Sequence, residues 1–382
     1  MSNDSSFFDN EIFDWQYPVN LEDSWDIGWV YDEQKYWGEF PSPEEIDLNT
    51  YNIPEWAVGP FTKHERNPVL APSPKSWDRG RFGGGVHNGA IIRHDGWFYY
   101  VYRGHRACEP IDGIDYICKI GMAKSKDGVN FTKVTDKVPL FGGEDLYSYE
   151  DVSLVCHEEV FYLYCNRWDW TRRDDPSVSG CWLATSKDLI DWTEHGIVFP
   201  EADSIHRNGV VLQCPANQPV RINEKFIMFI NNYIIAYSND LLNWQSKKVE
   251  GRWPGGEGCF ALTDYAGDAD DADDADDADN VVLFTGGHHS GHFYAIGEVL
   301  FSKTDPENPI EWLSRPILHA EPEYPHESGY SASDPEKRIS PYRDCIFFNG
   351  LTRNDGEWKI YYGGSEYYTC LATAPMSNQE EL

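Results

Sequence analysis

MAKSKDGVNFTKV at 122–134 recurs as LATSKDLIDWTEH at 183–195 and as IAYSNDLLNWQSK at 235–247, with a looser copy, VLFSKTDPENPIEWLSR, at 299–315. Ser125, Ser186, Ser238 and Ser302 mark the register, 61, 52 and 64 residues apart, and YTCLATAP at 368–375 adds a fifth, partial copy. Each copy follows an apolar strand-like run: GWFYYVYRG, EVFYLYCN, EKFIMFINN, NVVLFTGG or EWKIYYGG. A further run such as VHNGAII, DVSLVC, GVVLQC or DCIFFNG comes before that. Short strand signals split by Gly, Asn and Asp turns, with almost no helical periodicity, exclude a mainly helical chain. About four strands per unit and five units give an all-β fold, a five-bladed β-propeller with an N-terminal extension. A sandwich or jelly roll does not require a long repeat with one shared turn motif. Within the repeat, the Asp side chain is expected to close the turn before the outer strand, and the Trp or Phe to fill the gap between blades. Asp127, Asp188, Asp240 and Asp305 are therefore read as structural.

The repeat begins near residue 61, so 1–60 is read as a separate acidic, Trp-rich arm and 61–382 as the propeller. The arm is expected to pack on the propeller or on a second copy of the chain, which would make a homo-oligomer. In all, 64 Asp and Glu oppose 31 Lys and Arg, for a net charge of -33. With 15% aromatic residues, such charge does not mean disorder. It argues against nucleic acid and anionic membrane surfaces as partners. No apolar run reaches the roughly 18 residues of a membrane span. The first residues lack a basic, apolar leader and the nine Cys are scattered, so a cytoplasmic location is expected. The acid excess fits solubility in near-molar salt, where charges are screened within about 3 Å. DADDADDADDAD at 268–279, inside an expected loop insertion at 266–280, lacks the central Gly and closing Glu of an EF-hand.

The loops at one mouth of a propeller converge, so polar residues opening each unit are the candidates for chemistry. They are His87 and Asn88, Glu150 and Asp151, Arg207 and Asn208, Glu257, and Arg343 and Asp344. Trp168, Trp170 and Trp253 could offer flat apolar platforms. Paired carboxylates with aromatic faces suit glycoside cleavage, one acid protonating the leaving oxygen while another group activates the nucleophile. A sugar-binding propeller without chemistry would share these features. His288, His289 and His292 could meet at an ion, but neighbours on a strand point to opposite faces. The reading therefore assigns no metal and no cofactor.

RNPVLAPSPKSWD, GVHNGAIIRHDGWFYYVYRGH and YICKIGMAKSKDGVNF together resemble the first blade of glycoside hydrolase family 130, the β-mannoside phosphorylases and related mannosidases. SYEDVSLVCHEEVFYLYC and the late YYGGSEYYTCLATA continue the resemblance from about residue 66 to 376. It implies a five-bladed propeller and an inverting single displacement on an oligosaccharide. By it, Asp151 is the proton donor, Asn88 contacts the sugar in the cleaved subsite, Arg103 binds on the sugar and phosphate side, and Glu366 replaces a substrate-binding Asp. Glu150 and Trp168 complete the expected substrate contacts. Three departures stand out. Val152-Ser153 follows the Glu-Asp pair where the family has Pro-Arg, Asn231-Asn232 replaces a His-Arg pair, and His288 and His289 come two residues late. Since a phosphate dianion needs charge-assisted donors, their loss favours water, and the expectation is an inverting hydrolase of β-linked mannosides. Glu257, opening the fourth blade across the channel from Asp151, is then the candidate base, with room between the carboxyls for sugar and water. Arg207 as a replacement ligand for inorganic phosphate keeps a phosphorylase as the alternative.

Overall fold

The computed structural model describes residues 53–73, 76–78, 85–111, 114–135, 137–140, 146–253, 257–263, 280–289, 292–313, 316–321, 323–340 and 345–376. Residues 1–52, most of the expected arm, and nearly all of the acidic insertion lie outside them.

Runs that are apolar on both faces, such as KFIMFI at 225–230, form strands covered on both sides, because each sheet packs between two others. A short strand, Thr62–Lys63 (β1), comes first. The first unit is Val86–His94 (β2), Trp97–Ile111 (β3), Ile114–Ser125 (β4) and Thr132–Lys133 (β5). Tyr147–His157 (β6), Val160–Asp169 (β7), Gly180–Ser186 (β8) and Trp192–Ile197 (β9) make the second. The third has Val210–Gln213 (β10), the short Arg221–Ile222 (β11), Lys225–Ile230 (β12), Ile234–Ser238 (β13) and Trp244–Lys248 (β14). The fourth has Glu257–Thr263 (β15), Asn280–His289 (β16), His292–Ser302 (β17) and Asp305–Trp312 (β18). After a hairpin of Tyr330–Ser331 (β19) and Asp334–Arg338 (β20) comes the fifth: Ile346–Asn354 (β21), Glu357–Gly364 (β22) and Tyr368–Pro375 (β23).

Within each unit, successive strands pair antiparallel. The innermost strands β2, β6, β10, β15 and β21 touch one another in that order, and β21 returns to β2. β10 and β15 also share two parallel pairs, Leu212 with Ala261 and Gln213 with Leu262. Five apolar cores lie in the gaps between adjacent units. One joins Ile120 to Trp182, and another joins Tyr100 and Tyr102 of the first unit to Tyr361 of the last. The ring is thus a five-bladed propeller. Its closing strand comes from the other end of the chain, with β1 pairing with β23, Thr62 opposite Thr373. Lys63 in that strand reaches Glu327 at 2.6 Å and Glu321 at 2.9 Å.

The repeated turn has the expected chemistry. The carboxylate of Asp188 accepts from the backbone amides of Ile190 and Asp191 at 2.9 and 2.8 Å, and Asp127 and Asp240 do the same in their units. The aromatic residue that follows fills the gap between blades: Trp244 meets the edge of Tyr164 at 6.0 Å, and Phe131 meets Tyr361 at 5.8 Å. Of the arm, residues 53–60 pack on the fourth unit, where Glu298 accepts from the amide of Val58 and Glu311 from the indole of Trp56.

Candidate active site

A second repeat lies on the innermost strands, four of which are irregular at the same place. The pairing slips between His87 and Ala90, Glu150 and Ser153, Gly258 and Phe260, and Phe348 and Gly350. The residues at the slips are Asn88, Asp151, Cys259 and Asn349, and Asn208 stands at the same point just ahead of β10. Asn88, Asp151 and Asn208 have φ of 43°, 54° and 54°. Asn and Asp tolerate this left-handed conformation better than other side-chain-bearing residues. Such a bulge re-aims a side chain that would otherwise lie between the blades. Three of the five are followed by glycine. At Gly89 an added Cβ would run into the Val101 carbonyl, and at Gly209 it would lie 2.6 Å from the Met228 sulfur. The bulge residues Asn88, Asp151, Asn208 and Cys259 line one open cavity, with Val152, Val210 and Phe347 below them.

Asp151 is held from both sides of that cavity. Its Oδ1 accepts from Asn88 Nδ2 at 2.9 Å, and its Oδ2 accepts from Asn166 Nδ2 at 3.0 Å. Arg103 Nη1 lies 3.4 Å from Oδ1, and Nη2 lies 3.6 Å from Glu150. Burial works against the charge of Arg103, but the surrounding Cys118, Glu150, Asp151 and Glu366 hold its pKa well above the ordinary value. Burial also pushes the Cys118 thiol up to about 12, so it receives the Arg103 Nε hydrogen bond as a neutral sulfur, and the carboxylates carry the balancing charge. Beneath them the imidazoles of His87 and His105 face each other, Nε2 to Nε2 at 3.2 Å. Desolvation, then the nearby Arg103, lowers His87 to about 3, and desolvation, then His87 and Arg103, lowers His105, so both are neutral at pH 7.

The structure therefore brings together Asn88, Arg103, Glu150 and Asp151, and sets Glu366 within electrostatic reach of Arg103. Glu366 has φ of 51° in the turn between β22 and β23. Arg207, half-buried, sits beside Asn208, and its carbonyl accepts from the Asn231 amide at 3.2 Å. The aromatic platforms need correction. Trp168 is only 6% exposed, and Arg173 covers both its ring and that of Trp170, at 5.4 and 5.1 Å from the centroids. Trp253 is a core residue against Tyr233 and Phe301. Trp168 and Trp253 are thus buried, and Trp170 is half-buried with Arg173 over its ring.

The backbone of Glu257 opens β15, two residues before the bulge, and Cys259 is the true counterpart of Asp151 in that unit. The side chains of Glu257, His288, His289 and His292, and the whole of Arg343 and Asp344, lie outside the described residues. Among the described residues no three His, Cys, Asp or Glu side chains are grouped to hold a metal, and no helix is long and apolar enough to cross a membrane. Asn166 was not singled out from sequence. The recurrent Asn-Gly of HNGAII, RNGVVL and FNGLTR was the signal for the bulge positions.

No protein-family model matches the chain. It is 27% identical over 335 residues, 81% of this chain and 96% of the relative, to a 1,2-β-oligomannan phosphorylase of Thermoanaerobacter sp. (strain X514). A β-1,2-mannobiose phosphorylase of the same organism is 24% identical over 341 residues, 82% of this chain and 96% of the relative. A solved structure from the GH130 family of mannoside phosphorylases, a family described with it as containing hydrolases that target β-1,2 mannosidic linkages in Candida mannan, superposes with a TM-score of 0.66. That match has 22% identity and covers 84% of this chain and 95% of the other. The chain is similar to glycoside hydrolase family 130 in sequence over most of its length and in fold. The likeness supports a carbohydrate-active enzyme, with the blade arrangement that the repeat had suggested.

Proposed function

We propose that the chain is a phosphorylase of β-linked mannosides, with Asp151 as the general acid. The observation that carries this reading is the likeness of most of the chain to two proteins both named as β-mannoside phosphorylases. It outweighs the hydrolase expectation drawn from the lost basic residues. The Arg207 backbone carbonyl accepts from the Asn231 backbone amide, so Arg207 is adjacent in the fold to the position where the resemblance expects a His-Arg pair.

In the reaction, a phosphate oxygen forms a bond to the anomeric carbon from the face opposite the leaving group. The glycosidic carbon–oxygen bond breaks with its electron pair moving to oxygen. The Asp151 proton passes to that oxygen, giving an α-sugar 1-phosphate and a mannoside shorter by one unit. Asn88, already bonded to Asp151, lines the same cavity and sits beside the reacting bond in this reading.

Hydrolysis is the second reading, favoured by Val152 and Ser153 in place of Pro-Arg. β-1,2-Mannobiose incubated with and without inorganic phosphate separates the two. The expected result is mannose 1-phosphate that appears only with phosphate and falls by about 10²–10⁴-fold in Asp151→Asn. Free mannose formed equally without phosphate would give the case to hydrolysis. Binding without turnover under either condition would leave a lectin-like propeller.

A further inference from the structure

We propose that Asn166, on the second strand of the second unit, is the positioning residue for the general acid, fixing the plane of the Asp151 carboxyl by tying it to the third unit. This rests on the reading of Asp151 as the acid.

Asn166 is almost fully buried. Its Oδ1 accepts from the backbone amide of Asn208 at 2.8 Å. A backbone N–H can only donate, so the orientation of the Asn166 amide follows from the network itself. Its Nδ2 must then face the acid, and both of its hydrogens are used, one on Asp151 Oδ2 at 3.0 Å and one on Asn208 Oδ1. The same logic fixes Asn88, whose Nδ2 meets an oxygen of Asp151 that can only accept when ionised. The carboxyl is therefore gripped at each oxygen by an amide, one from the first unit and one from its own unit's next strand. Rotation about its last bond would break one grip or the other.

The chain of bonds Asn88–Asp151–Asn166–Asn208 runs through three neighbouring units at the mouth of the cavity. Both amides donate, so they stabilise the carboxylate that remains once the proton has moved to the leaving oxygen. A residue acting this way matters most when the leaving group needs that proton. An aryloxide that departs without protonation should not depend on it.

The test compares β-1,2-mannobiose with 2,4-dinitrophenyl β-mannoside in Asn166→Ala, and in Asn166→Ser, which keeps one small donor and guards against misfolding of the first variant. On mannobiose, kcat is expected to fall by about 30–100-fold in Asn166→Ala with KM within about threefold, and to recover partly in Asn166→Ser. On the aryl mannoside the loss should stay below about threefold. Equal losses on both substrates, or a loss confined to KM, would overturn the proposal, since a general structural defect does not discriminate between leaving groups. A crystal structure of Asn166→Ala separates this from failure of the functional reading because it needs no turnover. The Asp151 carboxyl should rotate out of the plane set by Asn88 and Asn166, and an unmoved carboxyl overturns the proposal whether or not wild type cleaves mannosides.

Discussion

Asp151 has company that a solvent-facing carboxylate would not need: two amides, a guanidinium and a left-handed backbone. The guanidinium in turn rests on a layer that must remain uncharged. His87 is fully buried with a pKa near 3, against 6.5 for a free imidazole, because desolvation and then Arg103 oppose its protonation. A depressed folded pKa means that the unfolded chain binds the proton first. Stability from a neutral His87 is therefore complete above pH 6.5 and is lost as the pH falls toward 3, by up to about 1.4 kcal/mol per pH unit. Urea unfolding at pH 7, 6, 5 and 4 should show that slope in wild type and a shallower one in His87→Gln. Identical slopes would remove His87 as a source of acid lability. Trp168 shows the limit of reading single residues. A sugar platform and a core residue have the same apolar ring, and only its neighbours, Arg173 above all, tell them apart.

At the scale of the element, two devices recur from blade to blade, and only one of them was visible as such in the sequence. The Ser…Asp turn is local, with all its hydrogen bonds closing within three residues, so it leaves a short motif. Hydrogen bonds from Asp191 and Ile190 hold the Asp188 carboxyl below its ordinary pKa. Its contribution is thus full above about pH 4 and fades as the pH falls through the lower folded value. Asp188→Ala should cost about 1 kcal/mol in urea unfolding at pH 7, with the deficit shrinking in strong acid. A deficit that is the same at every pH would mean that the carboxylate does not hold the turn. The bulge is the less local device. It needs a neighbouring strand to slip against, so sequence shows only its residue preferences, Asn-Gly at three positions and Glu-Asp-Val at Asp151. At Gly89 the neighbouring Val101 carbonyl leaves no space for a methyl group. Gly89→Ala should destabilise by about 1–3 kcal/mol, read as a lowered urea midpoint.

For the whole molecule, closure and charge matter most. Lys63 is nearly buried and paired with the fully buried Glu327, which also accepts from Tyr362. Removing the cation leaves a buried acid without its partner. Lys63→Met should lower unfolding stability by about 3–5 kcal/mol, and a loss below 1 kcal/mol would show that β1 does not latch the ring. The net charge of -33 acts on a longer range. If the acid excess is an adaptation to salt, the melting temperature should rise steadily between dilute buffer and about 1 M KCl as repulsion is screened. A flat response would make the acidity incidental to stability.

While Arg103 came only from the family resemblance, the sequence by itself determined the number of blades, the strand order within them, the structural role of the turn aspartates, and the candidacy of Asn88 and Asp151. All of these repeat at a fixed period or sit at the start of a repeated strand, and periodicity is what a one-dimensional string records. Tertiary structure alone decided that β1 closes the ring, that Cys259 and not Glu257 is the fourth-unit counterpart of Asp151, that Trp168 and Trp253 are buried, and that Asn166 bonds Asp151. Thr62 and Thr373 meet across almost the whole length of the chain, and Asn166 reaches Asn208 from another blade. Contacts of that kind arise from the curvature that closes a ring, and no local pattern of residues encodes them.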